Sequence, residues 1–195
     1  MKKYQLVIVF CLLLSKVLWG QSSNGYDKAT WGMSVAEVMK LYPSLQEATQ
    51  ANFDPFNIMT DFSVVGVKHY VKNGDGAGIL KQHFYFYENK LFWVDVTYDT
   101  ERVSSLTLRN KIESAYGKVT DFAPNVKKYE YSMTVKVSGF YRNINKNMKI
   151  TLIVMDLNGP YTGRKIGLGI SYCDPIIVEK IFAAYEKADE DSVSF

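Results

Sequence analysis

Histidine and cysteine, the side chains most often recruited for metal binding and nucleophilic chemistry, are scarce: the 195-residue chain has two of each. No Cys/His group has the spacing of a zinc site. Nucleotide fingerprints are missing as well. The one glycine-rich stretch, Asn73-Gly74-Asp75-Gly76-Ala77-Gly78, precedes a strand pattern instead of a helix and holds a single acid. It therefore matches neither a phosphate-cradling loop nor a calcium loop, and reads as a hairpin connection. Long apolar runs are also lacking. The stretch Leu6 to Leu14 is broken by Ser15 and Lys16, well short of the roughly 20 residues of a membrane helix.

An excess of one charge is missing too, once the N-terminus is read for what it encodes. Basic Lys2 and Lys3, the apolar run, and a short segment ending at Gly20 before Gln21, Ser22 and Ser23 have the three zones of a secretory signal peptide. Residues 1–20 hold three of the 23 lysines and arginines and none of the acids, so the remainder carries 20 bases against 20 acids. The mature chain is formally neutral, which excludes the basic footprint of a nucleic-acid binder. Cys11 falls within the signal and does not read as a lipid-attachment cysteine, because bulky Phe10 precedes it and the apolar run continues past it. Only Cys173 remains, so no intramolecular disulfide can form. The expected organisation is a signal peptide at 1–20, a flexible leader at 21–30, one α+β domain at 31–188 and an acidic tail at 189–195. Cofactors are not expected, nor is a membrane span after cleavage. The oligomeric state is left open.

What is present is a clear alternation of patterns. Ser34 and Glu37 form an S-x-x-E capping box with Met33 and Val38 at the hydrophobic-staple positions, which predicts a helix from Val35 to about Tyr42, stopped by Pro43. Three β-segments follow at about 62–71, 79–87 and 91–98. A second helix, capped by Asp99 or Thr100, carries Leu108, Ile112, Ala115 and Tyr116 and ends at Gly117. After a loop at 118–127 containing Pro124, strands are expected at about 128–142, 148–156 and 165–173. In the first of these, Tyr129, Tyr131, Met133, Val135 and Val137 alternate with Lys128, Glu130, Ser132, Thr134 and Lys136, a pattern of one buried and one wet face. Asp174 and Pro175 then open a helix with the stripe Ile177, Ile181, Ala184 and Tyr185, expected to fray near Asp189. The order is α-βββ-α-βββ-α, an α+β fold of about six antiparallel strands in two three-stranded meanders.

The segment Trp31-Gly32-Met33-Ser34-x-x-Glu37-Val38 resembles the helix start of exported bacterial proteins of unknown function. It is also similar to that of two known families: the small lipoprotein of the outer-membrane barrel-assembly machinery, and the secreted β-lactamase inhibitor proteins. The resemblance implies export and a helix packed on an antiparallel sheet. This chain lacks the lipid-attachment cysteine of the first family, and the paired cysteines and second motif copy of the second.

Four sets of residues are candidate sites. His69, His83 and Asp95 lie one on each of the first three predicted strands; the apolar pattern, pairing Val65 and Val67 with Phe84 and Phe86, places the two histidines on opposite faces and argues against a metal site. His83 opposite Asp95 remains a candidate acid–base pair for a small periplasmic hydrolase. Cys173 beside Asp174 would need a histidine and a depressed pKa to act as a nucleophile. Pairing Phe86 with Phe92 and Phe84 with Val94 gathers Tyr85, Tyr87, Leu91 and Trp93 on the other face. This aromatic face is either covered by another part of the domain or exposed to bind a protein, peptide or envelope component. A carrier enclosing an apolar ligand between sheet and helices is the remaining alternative. Terminal Phe195 resembles the final aromatic of outer-membrane barrels, but the acids at 189–191 do not make a membrane strand.

Overall fold

The computed structural model describes residues 24–48, 63, 65–74, 76, 78–128, 134–159 and 163–193. The predicted signal peptide, Tyr129, Tyr131, Met133, Asp75 and Phe195 lie outside them. The described chain is α+β and antiparallel. In order it comprises β1 (Gly25–Tyr26), β2 (Ala29–Thr30), α1 (Val35–Leu41), β3 (Gln46–Glu47), β4 (Lys68–Asn73), β5 (Ile79–Tyr87) and β6 (Lys90–Tyr98). There follow α2 (Ser105–Tyr116), β7 (Thr120–Lys128), β8 (Thr134–Asn145), β9 (Met148–Gly159), β10 (Gly163–Cys173) and α3 (Pro175–Val193).

Local chemistry sets the element ends. The Ser34 side chain accepts from the Glu37 N–H while the Glu37 carboxylate accepts from the Ser34 N–H at 2.8 Å, completing the capping box of α1. For α2 the cap is Ser104, not Asp99 or Thr100. Asp99 instead closes the turn before it, its Oδ1 accepting from the Glu101 N–H at 2.9 Å. Residues 25–30, predicted as part of a flexible leader, form a hairpin with Tyr26 and Ala29 buried. Helix α3 continues to Val193, past the predicted fraying point at Asp189.

The two predicted three-stranded meanders are corrected by the structure to one eight-stranded sheet, in the order β3-β4-β5-β6-β10-β9-β8-β7, beside the two-stranded β1–β2 hairpin. Two physical reasons account for the difference. Pro124 favours a loop over 118–127, yet Thr120–Lys128 is the edge strand β7, where a missing N–H is tolerated; a bulge falls between Phe122 and Asn125. The two halves of the sheet then join through β6 and β10, whose apolar residues align: Val94 with Tyr172, Val96 with Ile170, and Tyr98 with Leu168.

Each face of the sheet is packed differently. On the first face, α1, α2 and the β1–β2 hairpin cover a core that includes Phe84, Phe86, Val94, Val96, Leu108, Ile112, Ile150, Leu152 and Ile170. On the second, α3 lays Ile177, Val178, Ile181 and Tyr185 over Val67, Tyr85, Phe92 and Trp93. No helix among the described residues is long and apolar enough to cross a membrane.

Candidate functional site

The histidines are not separated. Strand β4 pairs with β5 so that His69 stands opposite Tyr85 and Val71 opposite His83, which puts both imidazoles on the second face. The predicted register failed because Val65 and Val67 do not join the Phe84 face; both pack in the cluster beneath α3. Nε2 of His69 lies 2.9 Å from Nδ1 of His83, so one ring donates to the other. The His69 ring also stacks on Tyr85, with centroids 4.6 Å apart. Burial holds both imidazoles down to a pKa of about 4, reinforced for His69 by the neighbouring His83 and for His83 by Lys81. They are neutral rings committed to each other.

His83 does stand opposite Asp95 on β6. The carboxylate accepts from the Trp93 indole N–H at 2.5 Å, and His83 is only 1% exposed. Substrate has no direct approach to that imidazole. Among the described residues no three His, Cys, Asp or Glu side chains converge as a metal site would require. Cys173 is buried beside Trp93 in the register, and burial pushes its thiol up to about 12. It is a packed, protonated thiol instead of an activated nucleophile.

The predicted aromatic face is divided by a β-bulge. Tyr85 pairs with Trp93, but Phe86 then pairs with Leu91, leaving Phe92 as the extra residue. Leu91 consequently joins the first-face core and Phe92 turns beneath α3. The bulge is held from outside the hairpin: the Phe92 carbonyl accepts from the Asp174 N–H, and the Leu91 carbonyl from the Gly32 N–H. Of the four predicted binding residues, Tyr85 and Leu91 are at most 1% exposed, while Tyr87 and Trp93 are partly covered.

Among the described residues, a different part of the same face is left uncovered. The register places Val135 and Val137 of β8 beside Leu157 and Met155 of β9, with Ile153 next to Gly139. None of these belongs to the cluster beneath α3, and each is partly exposed. Along β10, Gly167 and Gly169 lie beside Met155 and Ile153, with exposed Lys165 beside Leu157 at the end of the patch, so the surface dips into a shallow groove of about 30 Å³, edged by Thr97, Ile153 and Met155. The signal for this surface was present in the alternation of β8, read as one buried and one wet face. The apolar side of that strand is the side no described element covers, and exposed Lys136 lies on the opposite face. Strand order, which decides how far α3 reaches, was not readable from the alternation. Compared with family models, with curated proteins and with solved structures, the chain matches none.

Proposed function

We propose that the protein is an exported, non-enzymatic module of the cell envelope that binds a partner protein on the open half of its second sheet face. One observation carries this reading: Val135, Val137, Ile153, Met155 and Leu157 form a continuous apolar surface across two strands, beyond the cluster covered by α3. Antiparallel sheets with a wet side ordinarily place polar residues there, and a contiguous apolar patch is the usual mark of an interaction surface. The breadth of the patch and the glycine groove beside it suit the apolar ridge of a protein element better than a small molecule. The signal-like N-terminus and the resemblance of the Trp31–Val38 segment to exported helix-on-sheet proteins support an envelope location. The hydrolase reading is the weaker one, since it asks substrate to reach buried His83.

Met155→Lys and Val137→Lys test the proposal. Both side chains are partly exposed, so the thermal midpoint should stay within a few degrees of wild type. A complex recovered from the native envelope with the wild-type protein should be lost with either variant. Retention of that complex by both folded variants would contradict the assignment.

A further inference from the structure

A separate cleft opens on the first face, between α2 and the sheet. It encloses about 210 Å³ and is walled by the aliphatic side chains of Ile79, Leu108, Ile112 and Ile170, with the rings of Tyr26, Tyr116 and Tyr172. Two of the rings hold each other in place. Tyr26 packs on Tyr172 with centroids 4.9 Å apart, and its hydroxyl accepts from the Gln82 amide at 2.6 Å. The Gln82 carbonyl oxygen in turn accepts from Lys72 at 3.0 Å. The rim is polar, with exposed Asp27 and Lys111 among the lining residues, and exposed Ala115 of α2 lines the cleft as well.

From this arrangement we propose that the cleft binds a compact single-ring aromatic compound bearing one hydrogen-bonding group. Size sets the first limit: an apolar cavity of about 150 Å³ accepts one benzene ring, so this volume holds a ring and a short substituent. Chemistry sets the second. Three tyrosine rings offer edge and face contacts that favour an aromatic over an aliphatic guest. The polar groups gathered at the mouth fix which end of the guest faces solvent, the arrangement expected of a small-ligand site.

Phenol serves as the probe and cyclohexanol as its non-aromatic control, followed by the methyl NMR signals of Ile79, Leu108, Ile112 and Ile170 in the full protein. Phenol should shift these methyls saturably with a Kd of about 1 mM or tighter, and cyclohexanol should bind several-fold more weakly. Ala115→Trp, which plugs the mouth from an exposed position, should weaken phenol by about tenfold or more with the methyl spectrum otherwise retained. Absence of saturable shifts in the wild type, equal affinity for cyclohexanol, or undiminished binding to folded Ala115→Trp would each overturn the proposal. Should Ala115→Trp fail to fold, NOEs between phenol ring protons and these methyls replace it, and their absence counts against the site.

Discussion

Two imidazoles bonded to each other, His83 buried and His69 half-buried, should make the protein sensitive to acid. Each titrates at about 4 in the fold against 6.5 for an ordinary histidine, chiefly because burial penalises the charged ring. Between those values the unfolded chain holds more protons than the folded one, so stability is full above about pH 6.5 and is lost as pH falls towards 4. Denaturant midpoints measured across this window should fall with acidification, and His83→Gln should flatten the slope; a midpoint independent of pH from 6.5 to 4 would be evidence against a neutral pair. Neighbouring Tyr85 belongs to the core and not to a binding surface. Tyr85→Ala should cost about 3–5 kcal/mol by urea unfolding, as large aromatic-to-alanine changes in cores do, and a loss below about 1 kcal/mol would show that α3 does not cover it.

Turns and helix starts follow the same local logic at the scale of an element. Glu88 and Asn89 connect β5 to β6 with φ of 49° and 59°, the left-handed pair that a tight two-residue hairpin demands. Asparagine tolerates this conformation better than glutamate, so Glu88→Asn should raise stability by about 0.5 kcal/mol in a urea titration; a decrease would assign the Glu88 side chain a role of its own. Such features are legible from sequence because a cap or a turn is decided by a few consecutive residues. Helix α1, with Ser34 and Glu37, is the plainest case. The β5–β6 hairpin was legible up to its bulge. Nothing in Leu91-Phe92-Trp93 distinguishes the bulged residue, because the bonds that fix it come from Gly32 and Asp174, distant in the chain. The histidine pairing is not legible for a related reason: matching Val65 and Val67 to the Phe84 face assumes one apolar face, whereas the sheet has two, the second created by the arrival of α3.

Over the whole molecule, the eight-stranded sheet is wider than the helix laid on its second face. On the β4–β6 side, α3 buries the aromatic residues that the sequence suggested for binding. On the β8–β10 side the described residues leave the same face an apolar surface with a glycine groove beside it, and this asymmetry is the basis of the proposed function. Alternation along β8 identified which residues share a face; which face stays uncovered depends on the order of eight strands, a long-range property that no local pattern contains.

Adjacent residues of β8 give the most direct test, because Val137 lies on the open second face and Lys136 on the first. A photoreactive amino acid placed at either position in the native host, followed by irradiation of intact cells, compares the two faces at one point on the molecule. The proposal predicts an adduct of one defined mass from position 137, abolished by Met155→Lys, with none from position 136. No adduct from position 137, or the same adduct from both positions, would contradict it.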